Sequence, residues 1–151
     1  MFKKFQQQIF LVISLGLALF IVESIIKYYI ILNKIPRQGF YFFSGLLQID
    51  FFTNPNIAFG LPLPQTLIII LVIFILICLS FFWYLSLFQQ KIGQLIALSL
   101  IILGSLSNLL DRLIFGYVID YINIFIWPVF NLADAMIVTG IIIYLILNFK
   151  K

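Results

Sequence analysis

The sequence predicts an α-helical integral membrane protein of four transmembrane helices, with a small extracytoplasmic β-cradle and a short interfacial helix or loop. Three observations lead there. Hydrophobic residues make up 64% of the 151 residues and charged residues only 9%, giving a mean hydropathy of +1.22. A soluble domain of this length cannot hide so much apolar surface. The apolar residues also gather into four runs, each near the ~20 residues a helix needs to cross hydrocarbon. Between the first and second runs the composition changes to proline, glycine and aromatic residues, the chemistry of strands and turns. The whole chain, residues 1–151, is expected to act as a single membrane-embedded unit.

The elements follow in order. A short basic stretch with Lys3 and Lys4 precedes the first run, at about 9–32. Its apolar core is longer than that of a secretory signal peptide and lacks a small-residue cleavage site, so an uncleaved first span is expected. Glu23 and Lys27 interrupt this span four residues apart, with the acid N-terminal, the favoured order. They read equally well as a mutually neutralising pair or as a pair whose lysine also orients another polar group. Residues 33–65 carry F-Y-F-F-S-G-L-L-Q-I-D-F-F-T between glycines and prolines, and short strands resting at headgroup level are expected. An uncharged second span runs over about 66–87, followed by a polar turn at Gln89-Gln90-Lys91. The third span, about 92–113, is polar mainly towards its end. Residues 114–131 form a second outer connection, apolar enough for a short interfacial helix. The fourth span, about 132–149, is closed by Lys150 and Lys151.

Charge sets the expected orientation. Lys3, Lys4, Lys91, Lys150 and Lys151 fall on one side with no acidic residue among them, which makes that side cytoplasmic and places both termini inside. All five acidic residues then lie at or towards the outer leaflet. The net charge is +4, but the basic residues form no patch, so nucleic acid is not an expected partner.

Composition also narrows the chemistry. The chain has no histidine, which excludes a Ser-His or Cys-His nucleophile and most zinc sites. Its single cysteine, Cys78, sits in an apolar run as a small buried hydrophobe. Carboxylates or a Ser-Lys pair would have to carry any catalysis. Residues 108–134 hold Asp111, Asp120 and Asp134 with Asn108, Arg112 and Asn131, surrounded by hydrocarbon residues. Ionisable groups at membrane depth cost at least ~2.5 kcal/mol each and are functional candidates by default. Asp111, near a helix C-terminus, opposes the helix dipole and needs a cation, Arg112 or Lys27, in a structural ion pair. Asn131 and Asp134 have the spacing of a helix-capping box, and that reading competes evenly with a functional one. Asp120 has no such structural account. Two adjacent carboxylates in a dry site share a proton, one serving as acid and the other as base. The rival expectation is a small proton-coupled transporter, which would place buried carboxylates near the bilayer midplane.

Three blocks, G-x-x-x-N-x-x-D-R at Gly104–Arg112, G-x-V-x-D at Gly116–Asp120 and F-N-x-A-D at Phe130–Asp134, resemble the signatures of bacterial lipoprotein signal peptidase (signal peptidase II) in order and spacing. Glu23 with Lys27, and N-x-x-x-A-F-G at Asn54–Gly60, extend the resemblance over essentially the whole chain. It implies an intramembrane aspartic endopeptidase of the bacterial cytoplasmic (inner) membrane, working near the outer leaflet. Its partners would be prolipoproteins carrying a lipid-modified cysteine, membrane lipid, and inhibitors of the globomycin type. No cofactor and no metal is implied. Asp120 and Asp134 correspond to the catalytic pair. Asn54, Asn108, Arg112, Asn131 and Ala133 correspond to residues that support the site or contact substrate or inhibitor, with Glu23, Lys27 and Asp111 added as support. Three positions depart from the pattern: Glu23 where aspartate is usual, and Asn56 and Ser107 where glycine is usual. The added bulk of Ser107 is expected to loosen close packing.

Overall fold

The computed structural model describes residues 2–33, 40–43, 46–56, 63–124 and 127–149. Lys150 and Lys151, and the part of the Asn54–Gly60 block from residue 57 onward, lie outside the described residues.

Among the described residues, four helices are long and apolar enough to cross a membrane: α1 (Phe2–Asn33), α2 (Gln65–Phe88), α3 (Ile92–Phe115) and α4 (Leu132–Phe149). Their bounds match the expected spans closely, except that α1 begins near residue 2 rather than 9. The protein is a multi-pass membrane protein. α3 is the hub of the bundle, packing against α1, α2 and α4. It buries a long stripe, from Leu95 through Gly104 and Asn108 to Asp111. α2 buries only Ile68 and Ser86. Its remaining apolar side chains, such as Phe74 and Ile77, are exposed, as lipid-facing residues should be.

Small residues set how closely α3 and α4 approach. A Cβ placed on Gly104 would lie 2.5 Å from the carbonyl oxygen of Ala133, and one on Gly140 would lie 2.6 Å from that of Ala97. The two helices therefore approach backbone to backbone at both levels, the packing that glycine permits between spans.

The aromatic segment after α1 forms β1 (Phe40–Phe42) and β2 (Leu47–Asn54), as its composition predicts. The connection after α3 differs from expectation. Instead of a short interfacial helix it supplies β3 (Val118–Ile124), and the three strands make an antiparallel sheet in the order β1-β2-β3. Gly116 makes the reversal possible: at φ +80° it caps α3 in the left-handed region, its N–H donating to the Arg112 carbonyl. The chain then enters β3 directly. Antiparallel pairing with β2, interrupted opposite Tyr121 by an irregularity between Ile49 and Phe52, occupies the backbone of residues 118–124, and their β-branched side chains suit a strand.

Candidate active site

The sheet meets the bundle at the ends of α3 and α4, and the polar residues of the 108–134 stretch converge there. Asp120 lies in the middle of β3, with Phe52 opposite it and Asn54 opposite Val118. Asn54 is thus the diagonal neighbour of Asp120 on the same sheet face, within reach of a side-chain bond. Its Nδ2 donates to Asp120 Oδ2 at 3.0 Å, and its Oδ1 accepts the N–H of Asn56 at 3.1 Å, which fixes the amide's orientation. Beyond β3 the chain folds back: Phe130 exchanges backbone hydrogen bonds with Ile122. That bridge places Asn131 beside Asp120.

Asn131 is fully buried and organises the site. Its Nδ2 donates to Asp120 Oδ1 at 2.9 Å and lies 3.0 Å from Asn108 Oδ1 and 3.1 Å from the Ile119 carbonyl. At the same time it caps α4. Its Oδ1 accepts the Asp134 N–H at 2.8 Å, and Asp134 Oδ2 accepts the Asn131 N–H at 3.2 Å. This is the reciprocal box that the spacing predicts. The box uses one oxygen of Asp134, while Asn108 Nδ2 donates to the other at 2.8 Å. Capping and site-building are therefore the same contacts. Asp120 and Asp134 end up on either side of Asn131, each carboxyl held by two amide donors.

A second cluster lies beneath. Glu23 is 0% and Lys27 4% exposed. The Lys27 ammonium lies 3.1 Å from Glu23 Oε1 and 2.7 Å from Asp111 Oδ2, and donates to Ser107 Oγ and Asn108 Oδ1 at 3.2 Å each. Both sequence readings of Glu23 and Lys27 thus hold: the pair neutralises itself, and the lysine orients Asn108. Lys27, not Arg112, is the ion-pair partner of Asp111, whose Oδ2 also accepts the Ile119 N–H at 3.1 Å. Ser107 does not leave the helix interface loose; it is buried, and its hydroxyl is one of the four oxygens around the ammonium.

Arg112 sits at the rim. Nη1 donates to the Asn108 carbonyl at 3.2 Å and Nη2 to the Asn56 carbonyl at 3.0 Å, tying the Asn54 turn to α3. Ala133 is fully buried, and its carbonyl oxygen makes the close approach to Gly104. The sequence reading missed Tyr121, whose hydroxyl donates to Glu23 Oε2 and accepts the Leu132 N–H at 3.2 Å. Its one available signal was its place beside Asp120 in a run of β-branched residues.

Burial acts strongly on the Asp120 carboxyl. The residue is 2% exposed, and burial pushes its carboxyl up from 3.8 to about 6. The Asn54 hydrogen bond opposes that shift, the Asp134 charge adds to it, and Lys27 and Asn131 pull it back down.

A four-span bundle ending in two carboxyls on a shared asparagine defines a membrane-embedded aspartic peptidase as the class. The family model described as signal peptidase (SPase) II matches residues 15–150, and the chain belongs to that family. Among its relatives, the lipoprotein signal peptidase of Moorella thermoacetica is 36% identical over 131 residues, covering 85% of this chain and 86% of the relative. That of Syntrophomonas wolfei is 38% identical over 130 residues, covering 84% and 85%. A bacterial membrane enzyme solved by the in meso method at 2.3 Å superposes with a TM-score of 0.82 at 28% identity, over 92% of this chain and 87% of that one. A second such enzyme, solved at 1.9 Å, gives 0.80 at 26% identity, over 93% of each.

Proposed function

We propose that this protein removes signal peptides from diacylglyceryl-modified prolipoproteins, cutting on the N-terminal side of the lipidated cysteine with Asp120 and Asp134 as its catalytic pair. The observation that carries this reading is the shared hold of Asn131 on both carboxyls. In the mechanism, one ionised aspartate takes a proton from a water held between the carboxyls, and that water attacks the scissile carbonyl. The protonated partner donates to the carbonyl oxygen, and a proton then passes to the leaving amine. Side chains and water suffice for these steps. The asparagines hold the carboxyls in place so that little reorganisation is needed as charge moves.

The substrate's acyl chains stay in the bilayer while its peptide enters beneath the sheet from the side. Positive charge at Lys3, Lys4 and Lys91 supports a cytoplasmic location for that end of the bundle, with the site near the outer leaflet of the cytoplasmic membrane. The transporter alternative is not favoured: the acidic groups gather beneath the sheet at one end of the bundle rather than along a path through it.

The test is a gel-shift assay with the full-length protein in liposomes, given a lipid-modified prolipoprotein and the same precursor without its diacylglyceryl group. Cleavage of the lipidated form alone, blocked by globomycin, is expected. Equal cleavage of both forms, or of neither, would contradict the proposal.

A further inference from the structure

Tyr121 follows Asp120 directly, so the two side chains leave β3 on opposite faces. Its ring is buried with Ile30 and Ile119 between the sheet and α1. Its hydroxyl makes two bonds that tie distant elements together. It accepts the N–H of Leu132 at 3.2 Å, and it donates to Glu23 Oε2 on α1. Both directions follow from the partners: a backbone N–H can only donate, and a carboxylate oxygen accepts. Burial, and after it the Glu23 charge, push the phenol well above its ordinary range, so the hydroxyl keeps its proton and this arrangement persists across the working pH range.

Leu132 is the first residue of α4, and its N–H is one of the helix donors with no partner inside the helix. The residue before it caps the helix and grips Asp120; the residue two beyond it is Asp134. We propose that Tyr121 is a positioning residue: with Glu23 as its fixed acceptor, its hydroxyl pins the first turn of α4 against β3 and so sets the spacing between Asp120 and Asp134. The inference rests on the reading of those two residues as the catalytic pair.

Glu23 is the node of this device. Oε1 faces Lys27, which holds Asn108, which in turn donates to Asp134 Oδ1. Oε2 faces Tyr121, which holds Leu132. Two routes from one buried carboxylate therefore reach the same turn of α4. Aspartate at position 23 would be shorter by one carbon–carbon bond, about 1.5 Å, and could not keep both contacts without moving α1. The departure at Glu23 thus has a structural counterpart in Tyr121.

The experiment compares wild type, Tyr121→Phe, Glu23→Asp and the double variant, as full-length protein in detergent with lipid-modified prolipoprotein. Asp120→Asn is run beside them. Tyr121→Phe is expected to lower kcat roughly ten- to hundredfold, as small misplacements of catalytic groups do, with KM unchanged. Hydrogen exchange should show the Leu132 amide losing protection while amides in the middle of α3 keep theirs. Glu23→Asp should lower kcat similarly, and the double variant should fall by less than the product of the two.

Wild-type kcat in Tyr121→Phe, with Asp120→Asn inactive, overturns the positioning role and leaves the catalytic pair intact. A parallel loss of kcat, KM and exchange protection throughout the protein also overturns it, since that is general destabilisation. An active Asp120→Asn instead removes the reading on which the inference rests.

Discussion

The carboxyl of Asp120 feels burial and the Asp134 charge on one side, and two amide donors with a nearby ammonium on the other. The balance leaves it near 6, where a group can both hold and release a proton at neutral pH. For stability, a carboxyl raised above its unfolded value of 3.8 favours the folded protein below about pH 4. That contribution is lost as pH rises through about 6. For activity, a limb of the pH–rate profile is expected near 6, and it belongs to the pair rather than to either residue. Asn54→Leu removes the hydrogen bond that most opposes the rise, so this limb should move to higher pH. A profile of kcat/KM against pH checks it; an unmoved limb, or one displaced to lower pH, contradicts the assignment. Individual contacts were legible where a spacing specifies a local geometry, even where it left the role open. Asn131 and Asp134 at three residues' separation announce a cap, and the cap is there. Nothing in the spacing of Asp111 chooses Lys27 over Arg112, because that depends on which face of α1 meets α3.

At the scale of elements, the site depends on how closely α3 and α4 meet. The 2.5 Å that would separate a Gly104 Cβ from the Ala133 carbonyl leaves no room for a methyl group, and the clash lies in the first turn of α4. Gly104→Ala should destabilise the protein by about 1–3 kcal/mol, as overpacking does, and should depress cleavage beyond that loss. Thermal unfolding in detergent and an initial-rate assay check it; a fully active variant of unchanged stability would contradict the close contact. The four helices were legible because lipid demands long apolar runs, and the boundaries of α2, α3 and α4 lie within two residues of expectation. β3 was not. Its residues 118–121 are buried on both faces, so V-I-D-Y shows no alternation of polar and apolar positions. The signal that remained, β-branching, was outweighed by the apolar character of an interfacial helix. Missing the strand meant missing Tyr121, whose importance follows from the face of β3 it occupies.

The two ends of the molecule differ in charge: Lys3, Lys4 and Lys91 mark one end of the bundle, and the sheet with the acidic cluster caps the other. Orientation is testable with the native chemistry of the chain, since Cys78 is its single cysteine. In a Cys78→Ser background, Phe43→Cys, just after β1, should react with a membrane-impermeant thiol reagent on intact spheroplasts. Gln90→Cys, in the turn between α2 and α3, should react only after permeabilisation. The opposite pattern would invert the topology. The wider logic of the fold is that an irregular, hydrogen-bonded cluster exists at one end of a membrane-spanning bundle because the sheet and bundle together satisfy its backbone and side-chain groups. The central claim concerns the two carboxyls in that site. Its most direct test is single-turnover cleavage of a lipid-modified prolipoprotein by Asp120→Asn and by Asp134→Asn, each verified as folded in membranes. Both are expected to bind substrate and leave it uncut; near-normal cleavage by either variant would remove that carboxylate from the mechanism.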